Sequence, residues 1–235
     1  MEKEDTIREI MKDINDLCFI IQARMGSQRV PRKMTKPFAG TTLTDIAMVK
    51  IKECKVLKQE SFFLSAYETE LKDIALKHGL NVYDRSEASA NSEGTPMTEM
   101  YDWWDKLPYK NCVLINACAP FLQPETIDGF IEAYLNSDSD GMFGVMEKKN
   151  YFWNDKGQSL TPLKGAVMNT KVVDATYEAA HCLYAGRMDL IGKGIWMGDF
   201  RKDGDIELFS MPERECFDID YDWQFEVAEK LYLAK

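Results

Sequence analysis

The sequence predicts an α/β fold with a mostly parallel, right-handed wound sheet and helices on both faces. Three observations lead there. Short apolar runs of strand length alternate with amphipathic stretches of helix length up to residue 146, in the order β-α-β-α-β-α-β-α-β. The chain has 235 residues, enough to bury a sizeable core, and shows no internal repeat. The first apolar run breaks directly into a basic, glycine-bearing loop, at the strand edge where open wound sheets bind ligands.

Ahead of that run, Ile7, Ile10, Met11 and Ile14 recur at helical spacing among charges. They predict an amphipathic helix over residues 1–17, packed on the domain or on a partner. Cys18-Phe19-Ile20-Ile21 reads as a buried strand. After the basic loop, Thr44 or Asp45 can cap a helix running to about residue 55. Residues 61–64 form a second strand. Thr69 caps the next helix, which ends at Lys77-His78-Gly79 with the glycine in the left-handed position. Residues 80–83 make a third strand. The stretch 84–96, DRSEASANSEGTP, lacks periodicity and reads as a long exposed loop, of a kind more often functional than idle. A helix over 97–105, a strand over 112–116, a helix opened by Pro124 or Glu125 and ending at Leu135, and a strand over 141–146 complete the wound part.

The pattern then changes. Residues 148–171 carry Tyr151, Phe152, Trp153, Gly157, Pro162 and Gly165, which predict a hairpin or irregular arm whose aromatics suit a lid or a dimer contact. Beyond it the pattern suggests a helix over 172–180, a strand over 181–185 and a short helix over 187–191. Late strands over 206–211 and 216–219 precede a closing amphipathic helix over 221–232. Residues 18–235 are thus expected to form one domain.

A formal net charge of −10 and a pI near 4.9 argue against general nucleic-acid binding, which needs a basic face. They leave room for a small anion in one basic pocket. The six cysteines are scattered with no C-x-x-C pair, so neither a zinc site nor a disulfide framework is indicated. His78 and His181 are too few and too far apart for a histidine-rich metal centre. The N-terminal stretch is not a signal peptide, and no segment approaches the roughly 20 apolar residues that span a bilayer. The expectation is a soluble, cytoplasmic protein with no membrane and no nucleic-acid polymer among its partners.

Two constellations carry chemistry. The basic loop holds Arg24, Gly26, Ser27, Arg29, Arg32, Lys33 and Lys36, with Pro31 stiffening it. A basic run alone is more simply a solvated loop. Placed after a buried strand, its glycine lets backbone N–H groups approach phosphate oxygens while Arg24 and Lys33 supply charge. It contains neither G-x-G-x-x-G nor G-K-[ST]. The second constellation is Phe217-Asp218-Ile219-Asp220, followed by Asp222. Residues two apart on a strand share a face, so Asp218 and Asp220 point the same way, and a hard cation such as Mg²⁺ would relieve their repulsion while gathering phosphate oxygens. The simpler reading is a strand end in which Asp220 or Asp222 caps the closing helix.

The run Ile20-Ile21-Gln22-Ala23-Arg24-Met25-Gly26-Ser27-Gln28-Arg29-Val30-Pro31-Arg32-Lys33 resembles the opening motif of the sugar-acid cytidylyltransferases, a group that includes acylneuraminate, Kdo and spore-coat polysaccharide enzymes. Phe217-Asp218-Ile219-Asp220-Tyr221-Asp222-Trp223 and the residues to Glu229 resemble that family's closing motif, and the resemblance runs from Cys18 to Leu233. It implies a Rossmann-like nucleotidyltransferase fold of GT-A type with a protruding dimerisation arm at about 148–171, a homodimer, and transfer of CMP from CTP to a sugar acid with release of pyrophosphate. It further implies that Arg24 and Lys33 hold the phosphates, that Gly26 and Ser27 form the backbone cradle, that Ala23 and Asn116 belong to the nucleotide-binding set, and that Arg85 heads the segment closing over CTP. Asp218 and Asp220 would carry Mg²⁺, Asp220 with a catalytic role. Asn116 stands where the family has a glutamine that touches the sugar. Gln28-Arg29, Met34, Ala66-Tyr67 and Phe121-Leu122 also depart from the motifs, mostly near the sugar. His181, on an expected strand, reads first as a satisfied core or pocket histidine.

Overall fold

The computed structural model describes residues 12–91, 94–161 and 169–234. Its strands are β1 (Leu17–Gln22), β2 (Phe62–Ala66), β3 (Asn81–Asp84), β4 (Asn111–Ile115), β5 (Gly141–Lys148), β6 (Thr176–Arg187) and β7 (Ile206–Ser210). They form one sheet in the order β3-β2-β1-β4-β6-β5-β7. β1 pairs in parallel with β2 and β4, β2 with β3, and β5 with β7. β6 runs antiparallel between β4 and β5, so the sheet is mostly parallel, as expected.

Side chains of β1 alternate between two cores, as the pleat requires. Leu17, Phe19 and Ile21 face the larger one, against α1 (Leu43–Glu53), α2 (Thr69–Lys77), α5 (Pro124–Leu135) and α6 (Asp222–Leu233). Cys18 and Ile20 face the smaller one with Trp103, Cys112, Met188, Ile191 and Trp196. Helices cover both faces, as expected, but unequally: all four long helices pack on one face. The other is covered by the connection from β3 to β4, with short helices α3 (Glu87–Ala90) and α4 (Met97–Met100), and by a 3-10 turn at Met188–Lys193. The rings of Tyr101, Trp103 and Trp196 stand 5.6–5.7 Å apart there. Packing these rings ends the helix expected over 97–105 after Met100, because the following residues turn to bury indole rather than continue the spiral.

Several local expectations shift. The cap of α1 is Thr42, whose hydroxyl accepts from the Asp45 amide at 3.0 Å. Thr44 is buried and donates to the Met34 carbonyl at 2.7 Å. Glu68, not Thr69, precedes α2, while Gly79 takes the left-handed φ of 72° that ends it. Pro124 sits at the first position of α5, where its missing N–H costs nothing. The stretch expected as an exposed loop over 84–96 is mostly exposed among its described residues, but it carries the short helix α3 capped by Ser86, and Arg85 and Ser89 are buried. Residues 172–180 are not helical: from Thr176 they belong to β6, paired with Glu147 and Lys148 on β5. Nor do residues 216–219 join the sheet. A 3-10 turn at Glu213–Cys216 leads into an extended segment, held by the Ile219 amide donating to the Cys118 carbonyl at 3.1 Å.

Trp153 and Ser159 form an isolated antiparallel bridge, giving the beginning of the 148–171 arm a hairpin form about Gly157. Residues 162–168 of the arm and 1–11 of the expected N-terminal helix lie outside the described residues, and Ile14–Asp16 form a 3-10 turn. No helix among the described residues is long and apolar enough to cross a membrane.

Two glycines separate crowding from helix propensity. A Cβ on Gly141 would lie 2.1 Å from the Met197 carbonyl carbon, whereas one on Gly129 in α5 meets only Phe209, at 3.7 Å. Gly141→Ala is expected to cost about 1–3 kcal/mol or more. Gly129→Ala is expected to gain about 0.5–1 kcal/mol. Urea unfolding midpoints of the two variants check the opposite signs.

Candidate active site

β1 and β4 lie side by side, yet the chain leaves them in opposite directions, β1 toward β2 and β4 toward the β6–β5 side. Their carboxyl ends therefore border a crevice at a switch point, where wound sheets bind ligands. A cavity of about 430 Å³ opens there, lined by Ala23, Arg24, Ser27, Arg29 and Lys33 from the loop after β1, Asn116 and Cys118 after β4, and Asp218 and Asp220. Residues nearly 200 positions apart meet in one wall.

The basic loop is anchored, not loose. Val30 and Met34 are buried, and the Met25 amide donates to Glu68 at 2.8 Å. Lys33 is only 9% exposed, with its ammonium on the Ile219 carbonyl and 3.7 Å from Asp220. Arg29 pairs with Asp220 at 2.7 Å and lies over the Tyr221 ring. Among the described residues no carboxylate pairs with Arg24. Ala23 is buried, its amide on the Ser65 carbonyl at 3.0 Å. Ser27 lines the cavity. Gly26 does not, and a Cβ there would meet nothing within 4 Å, so crowding does not impose glycine at that position.

Asp218 and Asp220 do face one cavity, although no strand ladder holds them. The expected aspartate cap of α6 is replaced by Gln224, whose side-chain oxygen accepts from the Asp220 and Tyr221 amides at 2.7 and 2.8 Å. One oxygen of Asp218 is buried without a hydrogen-bond partner. Burial holds that carboxyl above the ordinary range, with Lys33 opposing and Asp220 adding to the rise. An orphaned carboxylate oxygen beside a second carboxylate fits a hard cation. Among the described residues no group of three or more His, Cys, Asp or Glu converges, so a cation here would rely on waters and ligand oxygens, as Mg²⁺ commonly does. The Cys118 thiol is pushed up to about 11 by burial, against the pull of Lys33, and stays protonated.

Two smaller cavities flank the first. One, of about 200 Å³, is bordered by Arg24, Arg85, Ser89 and Tyr101. Arg85 is buried, donating to the hydroxyl and carbonyl of Ser89, and burial lowers its pKa. The other, of about 350 Å³, is bordered by Asn116, Phe143, His181, Tyr184 and Met197. Asn116 is fully engaged in shaping it: its oxygen accepts from the Cys118 amide and its nitrogen donates to the His181 carbonyl, both at 2.8 Å. Gln22 touches all three cavities, bonded to the Met100 carbonyl and to the Trp103 indole N–H, each at 3.1 Å. The part played by Gln22, Phe143, Tyr184 and Met197 escapes sequence reasoning, because each sits in an ordinary apolar or strand-like context.

The sequence profile of the cytidylyltransferase family matches residues 18–233. A spore coat polysaccharide biosynthesis protein of Bacillus subtilis is 29% identical over 135 residues, 54% of this chain and 53% of that protein, so the match spans about half its length. A pseudaminic acid cytidylyltransferase of Campylobacter jejuni is 23% identical over 232 residues, 93% of this chain and 97% of that protein. Among solved structures, a CMP:2-keto-3-deoxy-manno-octonic acid synthetase complexed with CTP shares the fold. Its TM-score is 0.66 at 11% identity, covering 93% of this chain and 98% of that one.

The raised pKa of Asp218 has a stability consequence with a definite sign. Its ionised form is disfavoured in the folded state, so its favourable contribution is complete below about pH 3.9, the ordinary value. That contribution is lost as pH rises through the higher folded value. Asp218→Asn, measured in EDTA without nucleotide, should melt higher than wild type at pH 7, with the gap closing toward pH 4. A Tm at or below wild type at pH 7 contradicts a carboxylate whose ionised form is disfavoured by burial.

Proposed function

The chain belongs to the cytidylyltransferase family, and from that premise we propose that it makes a CMP-sugar from CTP and a 2-keto-3-deoxy sugar acid, releasing pyrophosphate. The observation that carries this reading is the single cavity in which Arg24 and Lys33 face Asp218 and Asp220. Cations beside carboxylates in one cleft suit a triphosphate held with a divalent metal. The acceptor hydroxyl oxygen attacks the α-phosphorus, and the bond to the pyrophosphate oxygen breaks. Such a transfer needs positioning and charge neutralisation more than covalent help from the protein.

Each part of the cleft has work to do. Arg24, which reaches both the central cavity and the one beside Arg85, would bind phosphate oxygens as charge moves onto the leaving group. Arg29, itself exposed and now paired with half-buried Asp220, is a second cation within reach of the same oxygens. The cavity beside Arg85 and Ser89 would take the nucleoside, and the one beside Asn116 and Tyr184 the acceptor. Asp218 and Asp220 would hold Mg²⁺, which when bound supplies neutralisation of phosphate charge. The exposed Trp153 and Leu160 of the arm would meet a second copy of the chain in a homodimer.

Pyrophosphate release with CTP, Mg²⁺ and a panel of sugar acids tests the reading. Release with another nucleotide in preference to CTP would redirect it to a related transferase. Binding of CTP with no release from any acceptor would leave a nucleotide-binding protein instead. Arg24→Ala should cut kcat/KM on the order of 100-fold while stability changes by less than about 0.5 kcal/mol. An unchanged rate removes Arg24 from the phosphate site. Asp220→Ala should abolish the response of the rate to added Mg²⁺, and a titration that keeps its wild-type shape would count against the metal assignment.

A further inference from the structure

A pair of thiols stands behind the carboxylate segment. Cys182 of β6 and Cys216 of the turn at Glu213–Cys216 are free and buried in the larger core, and the proposed transfer uses neither. We propose that a peroxide closes them reversibly to a disulfide, and that closure displaces Asp218 and switches nucleotidyl transfer off. The switching rests on the reading of the chain as an enzyme making a CMP-sugar; the sulfur chemistry does not.

The two thiols are hydrogen-bonding neighbours. The Cys182 sulfur also lies 3.9 Å from the Glu215 carbonyl, which is joined to the Cys216 nitrogen. The Cys216 sulfur faces the Pro212 carbonyl at 3.3 Å. On the strand side this geometry is pinned. Phe143 pairs with Tyr184 and Val145 with Ala179, so the β6 residues between 179 and 184 oppose Gly144 alone and bulge out of the ladder. Bulges re-aim side chains, and this one turns Cys182 toward the turn. Leu183 pairs with Ile115 on β4, and Asn116 holds the Cys182 and His181 carbonyls at 2.9 and 2.8 Å.

The turn is the side that can give, with Pro212, Glu213 and Arg214 exposed. Disulfide sulfurs stand about 2.05 Å apart, closer than two unbonded thiols can approach, so closure draws the turn toward β6. Asp218 lies two residues beyond Cys216, between that pull and the Ile219 amide, which is fixed on the Cys118 carbonyl at 3.1 Å. Displacement therefore falls on Phe217 and Asp218. A shift of about 1 Å in a positioned group can cost about 100-fold in rate.

Cys216, at 7% exposure, is the more accessible sulfur, and Cys182 is at 0%. The Cys216 sulfur attacks one peroxide oxygen, the O–O bond breaks and water leaves, giving a sulfenic acid. The Cys182 sulfur then attacks the Cys216 sulfur, and the hydroxyl leaves with the thiol proton as a second water. Two thiols lose two electrons and one peroxide becomes two waters. Exchange with an added dithiol reverses the bond.

The test treats the full chain with hydrogen peroxide, then alkylates and digests it without reductant. Mass spectrometry should find the Cys182 and Cys216 peptides joined, with two hydrogens lost. In the same sample, pyrophosphate release with CTP, Mg²⁺ and a panel of sugar acids should fall on the order of 10- to 100-fold and return with dithiothreitol. Cys182→Ala and Cys216→Ala should each keep their own rate through the peroxide treatment. Should either variant fail to fold, the joined peptide and its reversal in wild type still decide. Absence of the joined peptide overturns the proposal. A joined peptide with an undiminished rate overturns the switch. A loss that persists in Cys182→Ala places the oxidation at another sulfur, such as Cys118, and overturns it too. Reduced protein that turns over no acceptor overturns the parent reading and the switch with it, while the joined peptide still decides the bond.

Discussion

The contact between Lys33 and the segment carrying Ile219 and Asp220 is the constraint on which the active site depends. A buried ammonium must find acceptors, and here a backbone carbonyl and a carboxylate supply them. A hydrogen bond to a charged group is worth about 1.5–3 kcal/mol, and it costs more to leave such a donor unpaired. The contact matters because residues 217–220 belong to no strand. On one side the Ile219 amide is bonded to Cys118 at the end of β4; on the other the Ile219 carbonyl receives Lys33 from the loop after β1. The two carboxylates thus hang from a bridge across the switch point, and their position follows from both anchorages.

The same arrangement sets a competition. Asp220 is shared by Arg29 and Lys33, while Asp218 keeps one buried oxygen without a partner. A polyanion entering the cavity offers Arg29, which is exposed, an alternative to Asp220. Lys33 is held by the Ile219 carbonyl and has less freedom to leave. Arg29 is therefore the more exposed of the two cations on Asp220, and Lys33 the one held within the wall.

Much of this was legible in the residues themselves. The apolar run of β1, Pro124 opening α5 and Gly79 closing α2 are local signals whose physics lies within a few positions. Arg24, Lys33, Asp218 and Asp220 could be paired in advance because the opening and closing motifs together resemble one family's, and they do share one cavity. Misreadings arise where distant packing decides. Arg85 and Ser89 sit in a polar, aperiodic stretch, yet the guanidinium is buried on the Ser89 hydroxyl and carbonyl, and so organises the loop from within. Residues 172–180 lacked a strand signature because the outer part of β6 is solvated, with Tyr177 and Glu178 exposed; its partner β5 makes it a strand. Thr44 looked like a cap because it is a threonine before an apolar stripe, but its hydroxyl satisfies the Met34 carbonyl under the basic loop.

The two ends of the cleft differ in how they are encoded. The charged end draws on one contiguous loop and one short closing segment, each dense in charge, so composition betrays it. The flank beside Asn116 is assembled from single residues of β5, β6 and the stretch after Trp196, none unusual in its own neighbourhood. What joins them is backbone geometry: two left-handed non-glycine residues, a bulge in β6, and two glycines without room for a Cβ. Such features cost free energy that only the finished fold repays. Gln22 and Asn116 are the shared boundary between the two cavities. Both are tied up in hydrogen bonds to backbone or indole, so side-chain bonds fix the boundary as backbone geometry fixes the wall beyond it.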